Sequence, residues 1–358
     1  MTTTTTAQTR LRDAQPTADT SQRDNPINHV VAPILPQFDR MIQTYAIFNL
    51  LFLTFGFIEF TLLVIFFTFL AKSAILAFSL AIVFLTFFSY FILRLYYQTQ
   101  KPGQFQDLKE RYLRACKGVM NYREGVPEHH IALAGACAKF SDSLQGREYS
   151  FYRMPSWLSI LDPYIEKFSY WHHWTDVQKM RELLLFSAIE ENIKVVKCEP
   201  TSIEAHAGLA NAYVVLSGLY VNSNKHEEDT GWLSNESLTP DLEHKFRSTA
   251  ERAIEEFKIL SDFAPDDPWV HAQLAYSYHD LKMPLEEIKE YEILLNLSPT
   301  DTDTMLRLGI LYFQQGMNAK GLRIYEELKE SAPKNALELI RFYGAYQPFK
   351  DMYFHAKN

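Results

Sequence analysis

The sequence has little cysteine. Its 358 residues include only three, Cys116, Cys137 and Cys198, which are far apart and odd in number. This pattern argues against a disulfide framework or a zinc site, and it is typical of unpaired thiols in a reducing compartment. We therefore expect free thiols and no metal centre.

Motifs for catalysis and cofactor binding are also missing. There is no phosphate-binding glycine loop, no dinucleotide-binding fingerprint and no His-Glu-x-x-His helix. The sequence predicts no enzymatic activity and no cofactor. The densest polar and aromatic cluster is Trp171-His172-His173-Trp174. Adjacent histidines point about 100° apart on a helix, so aromatic packing is favoured here over a shared metal.

The chain lacks a strongly basic region. Residues 1–100 contain six Lys or Arg and five Asp or Glu. The remainder contains 35 − 6 = 29 basic and 43 − 5 = 38 acidic residues, a net charge of −9. A surface of that sign repels phosphate backbones, so we expect no binding of nucleic acid.

A repeat of 34 residues is the most informative feature that the sequence does contain. Pro265, Pro299 and Pro333 follow one another at that interval. Apolar residues recur at fixed offsets from these prolines, at spacings that place them on one face of a helix. They are Leu274 with Tyr278, Leu308 with Tyr312, Tyr291 with Leu294, and Tyr325 with Leu328. The period predicts an all-α solenoid of stacked helix pairs.

This pattern resembles the tetratricopeptide repeat (TPR) family, whose units read Trp-x2-Leu-Gly-x2-Tyr, then Ala-x3-Phe, then Pro. The unit that ends at Pro333 matches well, with Gly316 between its helices and Gly321 at the small-residue position. The preceding unit has Lys282-Met283-Pro284 and Glu287 at these places.

A third unit begins after Pro200. Its 65 residues to Pro265 exceed the period by 65 − 34 = 31 residues, which predicts an insertion near 219–244 that forms a surface loop. We thus expect three TPR-like repeats over 201–333 and a capping helix and tail over 334–358. Residues 98–200 form a helical region with a degenerate repeat and an aromatic insertion, and residues 1–40 a disordered, Thr-rich tail.

Two long apolar runs lie upstream of the repeats. Tyr45–Leu70 has 26 residues and one charge, and Ala74–Leu93 has 20 residues and none. A spanning helix needs about 20 apolar residues, so we predict a two-span transmembrane hairpin over 41–97, which contacts the bilayer through 45–70 and 74–93. Flanking basic residues such as Arg40 and Arg94 predict that both termini and the repeats are cytosolic.

The single charge inside the hairpin is Glu59. A carboxylate at mid-membrane costs about 2.5 to 3.5 kcal/mol on insertion scales, so it needs a partner or a proton. Reflection about the turn at Lys72 and Ser73 places Thr86 across from it. One interpretation is ion transport or helix association through Glu59. The favoured one is a protonated carboxyl group hydrogen-bonded to Thr86 or to a neighbouring hydroxyl.

The resemblance also implies a binding surface, because the first helix of each TPR unit lines the concave face. The matching positions here are Asn211, Trp269, Tyr276, His279, Asp280, Asp303, Ile310, Phe313 and Gln314. No Lys or Arg accompanies Asn211, so the family's basic clamp for a peptide carboxylate is missing. We expect a protein or peptide with an amphipathic or basic segment to dock there. Alternatively, some of these aromatic residues pack against neighbouring helices.

The leading functional hypothesis is a membrane-anchored TPR adaptor or scaffold. Two alternatives stay open. One is a membrane transport or enzymatic component that uses Glu59 or the His172-His173 cluster. The other is a membrane-shaping hairpin protein, and the hairpin behind a Thr-rich start also resembles the secreted inclusion-membrane proteins of chlamydiae.

Overall fold

The computed structural model describes residues 28–66, 75–152, 162–230 and 240–344. All of its α-helices and the 3-10 turn Arg147–Tyr149 lie in these ranges, which contain no strand, so the all-α prediction is confirmed. The α-helices are α1 Asn28–Ile65, α2 Ile75–Val119, α3 Pro127–Ser143, α4 Asp162–Cys198, α5 Ile203–Thr230, α6 Pro240–Phe263, α7 Pro268–Asp280, α8 Pro284–Leu297, α9 Thr302–Gln314, α10 Asn318–Ser331 and α11 Pro333–Ile340.

The chain divides into two compact units. The first contains residues 1–123 and 142–180, and the second contains residues 124–141 and 181–358. This division cuts across the predicted region 98–200. Trp157 of the predicted aromatic insertion lies outside the described residues, as do residues 345–358 of the predicted tail.

The start of the first unit differs from the prediction. A disordered tail was expected up to residue 40, but α1 begins at Asn28 and buries Ile34, Phe38 and Ile42. The Phe38 ring centroid lies 6.2 Å from that of Phe105 and 6.3 Å from that of Phe151. The spacing of four between these apolar residues of α1 is a helical signal that the Thr-rich composition of the predicted tail obscured. Residues 1–27 of the predicted tail lie outside the described residues.

The apolar parts of α1 and α2 are exposed along their length. Leu51, Phe57 and Phe87 show 64%, 69% and 68% of their surface. Both helices are long and apolar enough to cross a membrane. Beyond its apolar run, α2 continues to Val119 and buries Leu108 and Tyr112. The predicted turn at 71–73 falls outside the described residues.

The second unit contains the predicted helix pairs. The two 34-residue units are the pair α7 and α8 and the pair α9 and α10. The first helix of each pair is preceded by an N-cap aspartate. Asp267 accepts a hydrogen bond from the backbone N of Trp269, and Asp301 accepts from those of Asp303 and Thr304. Such caps contribute about 1 kcal/mol to helix stability, and both lie two residues after the repeat proline.

The turns inside these two pairs have the same geometry despite different residues. Gly316 has a φ of 74° and Lys282, 34 residues earlier, has a φ of 56°. The backbone N of the next residue donates to a tyrosine carbonyl in both turns, from Met317 to Tyr312 at 2.8 Å and from Met283 to Tyr278 at 2.9 Å. The left-handed conformation costs a non-glycine residue about 1–2 kcal/mol, so Lys282 tolerates strain that Gly316 avoids.

The small-residue position also differs between the two pairs. A Cβ atom on Gly321 would lie 2.5 Å from Phe313 Cε1, so the ring packs directly on the glycine backbone. The residue 34 positions earlier is Glu287, which is buried, and its Oε1 lies 3.0 Å from His279 Nδ1. His279 occupies the position of Phe313 in its own unit. A polar His–Glu pair in one unit therefore replaces an aromatic–glycine contact in the other.

The predicted surface loop near 219–244 is helical over most of its length. α5 continues to Thr230 and α6 starts at Pro240, and residues 231–239 lie outside the described residues. Leu216, Leu219 and Tyr220 are buried, so the apolar stripe of α5 simply continues into the insertion. The Tyr220 hydroxyl donates to Glu182 Oε1 on α4 at 2.8 Å, which fixes this extension to the preceding helix.

Two histidines repeat at the same position of successive units. His206 and His271 each lie six residues after a repeat proline. In both, Nε2 lies close to that proline's carbonyl oxygen, at 3.0 and 2.8 Å. Nδ1 lies 2.7 Å from Glu256 in the first case and 2.8 Å from Glu290 in the second. In the last unit the equivalent residues are Met305 and Ile324, which are buried and apolar.

The His206 pair should make stability depend on pH. Burial lowers the pKa of His206, but the hydrogen bonds to Glu256 and to the Pro200 carbonyl outweigh it and raise the pKa above its usual value. A raised folded pKa stabilises the fold below about pH 6.5, the unfolded value, and this contribution disappears as pH rises through the folded pKa. We expect His206→Gln to reduce the loss of stability above pH 6.5, measured by urea unfolding at a series of pH values. His244→Gln, at an exposed position on α6, is the control and should leave the slope unchanged.

Candidate functional site

The predicted groove residues lie on α5, α7 and α9, the first helices of their units. Asn211, His279, Asp280 and Asp303 are exposed, and Trp269, Tyr276, Ile310 and Gln314 are half-buried. Trp269 and Tyr276 are seven residues apart on α7, which places them on one helical face. The corresponding face of α9 carries Asp303, Ile310 and Gln314. We call these two faces together the α7–α9 face.

Phe313 is the exception, because its exposed fraction is 0%. Its ring packs on Gly321 and meets Tyr343 edge to face at a centroid distance of 5.4 Å. A side chain in this position cannot contact a partner, so its prediction as a docking anchor is wrong. The alternative interpretation, that some aromatic residues of the list pack against neighbouring helices, describes Phe313.

Trp269 has a mixed role. Its ring meets the buried ring of Phe257 edge to face, with 5.9 Å between centroids and an interplanar angle of 72°. Edge-to-face aromatic pairs contribute about 0.5–1.5 kcal/mol beyond their buried area. The packed part of Trp269 therefore belongs to the core of the second unit, and only the remainder is available to a ligand.

Arg307 is a surface residue that sequence reasoning missed. Its guanidinium carbon lies 5.4 Å from the Tyr276 ring centroid, and its Nη1 donates to the Tyr291 hydroxyl at 3.4 Å. Burial lowers the pKa of Arg307, but its contacts with Tyr291, Tyr276 and Asp303 outweigh this and raise the pKa. The signal in the sequence was the spacing of four between Asp303 and Arg307, which places them one helical turn apart on α9.

The α7–α9 face thus combines a charged guanidinium with aromatic and acidic neighbours. Burial raises the pKa of Tyr291 to about 12, so this phenol stays neutral at physiological pH and can accept the Arg307 hydrogen bond. The hydrogen bond to Glu287 raises the pKa of His279 at the end of α7. This surface offers an apolar contact, a fixed cation and exposed carboxylates within two adjacent helix pairs.

The helix pairs identify the fold of the second unit. Two successive pairs of 13 and 14 residues each keep the 34-residue period, the buried Leu and Tyr positions and the closing prolines. This is a TPR-like array. In this TPR-like unit, α5 packs against α6 ahead of the two pairs, and α11 follows the last pair as a short additional helix.

The similarity of this chain to known proteins is low. No protein-family model and no curated protein matches the chain. A solved structure of MamA from Desulfovibrio magneticus RS-1 is 13% identical, with a TM-score of 0.34, over 69% of this chain and 94% of that chain. TTC0263, a thermophilic TPR protein in Thermus thermophilus, is 18% identical, with a TM-score of 0.31, over 70% of this chain and 92% of that chain.

The first unit holds the other predicted polar residues. Thr86 Oγ1 donates to Glu59 Oε1 at 2.9 Å, which is the contact that reflection about the turn placed there. One helical turn further along α2, the Tyr90 hydroxyl donates to Asn49 Oδ1 at 3.2 Å. Both bonds link α1 to α2 within their apolar stretches, where few other polar partners exist.

The His172-His173 cluster lies among aromatic rings. His173 is buried, and its ring centroid lies 5.2 Å from that of Phe151 and 5.3 Å from that of Tyr152. Burial, followed by the neighbouring His173 and Arg94, lowers the pKa of His172 to about 4, so this imidazole is neutral at physiological pH. Among the described residues, no three His, Cys, Asp or Glu side chains converge as metal ligands.

Proposed function

We propose that this chain is a membrane-anchored adaptor, in which α1 and α2 cross a bilayer and the TPR-like unit binds a protein or peptide on its α7–α9 face. The observation that carries the anchor is the continuous exposure of the apolar parts of both helices. Soluble monomers rarely expose apolar patches of this extent, and a helix satisfies its own backbone hydrogen bonds inside a bilayer.

The flanking charges support the orientation of this anchor. Arg40, Arg94, Lys101 and Lys109 lie on the sides of the apolar runs that face away from the turn, where only Lys72 is basic. An excess of Lys and Arg marks the cytoplasmic side of a span, so both termini and the TPR-like unit belong in the cytosol.

The partner is a segment with apolar and basic side chains. The half-buried faces of Tyr276 and Ile310 provide apolar contact area, and the exposed carboxylates of Asp280 and Asp303 favour cations. Arg307 is held in place by two tyrosines, so it can donate to a carbonyl or carboxylate of the ligand with little loss of side-chain entropy. Tethering to the membrane then raises the local concentration of the partner at the bilayer surface.

A photo-reactive phenylalanine at Tyr276 of the full-length chain tests this function in cells. We expect it to form an adduct with one discrete protein, and we expect the adduct to stay in the membrane pellet after an alkaline wash. Adding Asp303→Lys should lower the adduct yield about fivefold or more, as for a contact worth at least 1 kcal/mol.

The matched control is the same photo-reactive residue at Ile293, which is 37% exposed on α8, the second helix of its unit. It should not capture the same protein. Adducts formed only within the chain, or a yield that Asp303→Lys leaves unchanged, would refute binding at the α7–α9 face. An adduct released by the alkaline wash would refute the membrane anchor instead.

A further inference from the structure

A polar pocket lies in the first unit, immediately beyond the apolar run of α2. Its volume is about 550 Å³, within the range of about 300–1,000 Å³ that is usual for small-molecule sites. One wall consists of Arg94, Gln98 and Lys101, which share a face of α2. The facing wall on α4 presents Trp171, Thr175 and Lys179 at intervals of four residues.

Two cations of this pocket are available to a ligand. Lys101 Nζ already forms an ion pair with Asp176 Oδ2 at 2.6 Å, which neutralises the only carboxylate among the described residues of the lining. His172 is neutral, as described above. Arg94 and Lys179 are exposed on opposite walls, so the pocket has a net charge of about +2 and favours an anion.

An apolar groove of about 870 Å³ shares Trp171 and His172 with the polar pocket. Its lining comes from α1, α2, α4 and Tyr152 and consists mostly of aromatic and aliphatic side chains, including Phe52, Leu53, Phe57, Phe60, Val83 and Phe87. The Glu59–Thr86 hydrogen bond lies within this lining. The groove therefore extends from Glu59 and Thr86, in the middle of the apolar stretches, to the end of the α2 stretch next to Arg94.

His173 provides an independent sign of a ligand. Its side chain is 1% exposed, and neither ring nitrogen has a hydrogen-bond partner among the described residues. Nδ1 lies 3.7 Å from Asp176 Oδ2, beyond hydrogen-bonding distance. The ring borders a cavity of about 60 Å³ that Arg94, Gln98 and Lys101 also line. Buried polar atoms normally have partners, so an oxygen atom of a ligand fits here.

We propose that the first unit binds one anionic phospholipid, with an acyl chain in the apolar groove and its phosphate between Arg94 and Lys179. This inference rests on the proposed membrane anchor, because only a protein in a bilayer presents the groove to lipid. An apolar groove that leads into a cationic pocket matches a molecule with a long hydrocarbon chain and an anionic head. A zwitterionic choline head carries its own cation and gains less from two positive side chains.

Fluorescence of Trp171 reports on this site, since its ring lines both the groove and the pocket. The full-length chain is reconstituted in phosphatidylcholine vesicles that contain brominated phosphatidylglycerol or, separately, brominated phosphatidylcholine. The Trp171→Phe variant gives the background from the other four tryptophans. We expect phosphatidylglycerol to be preferred about 30-fold, since each cation near a membrane surface contributes about fivefold.

Arg94→Gln with Lys179→Gln should abolish this preference, whereas Arg111→Gln with Arg114→Gln, at exposed positions further along α2, should retain it. Equal quenching by both brominated lipids, or a preference that survives loss of Arg94 and Lys179, would overturn the lipid site. Reversal of the preference by excess inorganic phosphate at constant ionic strength would also overturn it in favour of a phosphate ion site. Failure of the chain to float with the vesicles would refute the anchor itself.

Discussion

Replacing Phe313 with Ala should lower the free energy of unfolding of the TPR-like unit by about 3–5 kcal/mol. Phe313 has no exposed surface, and its ring fills the space between α9 and the Gly321 backbone of α10. Removing the ring leaves a cavity that the surrounding helices cannot close fully. Thermal unfolding followed by circular dichroism measures the loss, and hydrogen exchange of α9 and α10 localises it.

The converse change should destabilise the same contact from the other side. In Gly321→Ala the new methyl group would approach three ring atoms of Phe313 to 2.5, 2.7 and 3.0 Å. Overpacking of this kind costs about 1–3 kcal/mol, which opposes the gain of about 1 kcal/mol in helix propensity. Combining Phe313→Leu with Gly321→Ala should cost less than the sum of the two single changes, because the smaller side chain makes room for the methyl group.

Strict additivity of these two substitutions would contradict direct contact between positions 313 and 321. Leu322→Ala, at a residue 39% exposed on α10, is the matched control. We expect it to change stability by about 0.5 kcal/mol or less, as is usual for surface positions.

The Lys101–Asp176 ion pair should give the second large effect. Its side chains are only 19% and 10% exposed, and Lys101 Nζ also lies 4.7 Å from the Tyr45 ring centroid. Removing one member of a buried pair lowers the free energy of unfolding by about 3–5 kcal/mol, because the other charge loses its partner. Since this pair is partly exposed, we expect Lys101→Met to lie toward the lower end of that range. The melting temperature of the full-length chain in one fixed detergent measures the change.

Replacing both residues should restore much of the lost stability, since Lys101→Met with Asp176→Leu leaves no buried charge behind. A double variant as unstable as the sum of its single variants would contradict coupling. The pair also predicts acid sensitivity. Burial raises the pKa of Asp176, but the proximity of the His173 ring, whose Nδ1 lies 3.7 Å from Asp176 Oδ2, and the ion pair with Lys101 outweigh it and lower the pKa below its usual value. The stabilisation is therefore present above about pH 3.9 and disappears as pH falls through the folded pKa.

The repeat period predicted the helix pairs because it combines two strong local signals, the apolar spacing of a helix and the prolines that end it. Composition misled elsewhere. The Thr-rich start predicted disorder up to residue 40, although α1 begins at Asn28 and the spacing of Ile34 and Phe38 follows a helix. The polar insertion after Leu219 concealed the last turns of α5, since its composition resembles a loop although its first residues continue the buried stripe.

The candidate site was less predictable because it depends on contacts between helices. The resemblance to TPR units predicted that Phe313 lines the groove. Its ring is instead buried against the backbone of Gly321 on the next helix, where the missing side chain leaves room for it. Arg307 lies one residue before a core leucine and carried no family signature, yet the ring of Tyr276 and the hydroxyl of Tyr291 place it on the surface. Sequence spacing defines the face of one helix, whereas the neighbouring helix decides which side chains stay accessible.

The paired residues at equivalent positions define which parts of this array are interchangeable. Position 271 pairs with 290 as His and Glu, and the buried residues 34 positions later are Met305 and Ile324. Exchanging α8 alone for α10 would set an isoleucine opposite His271 and a glycine opposite His279. Both histidines would then lose the glutamates that they contact in the native pair. The contacts of His271 with Glu290 and of His279 with Glu287 therefore stay intact only when both helices of the pair are duplicated, deleted or grafted together.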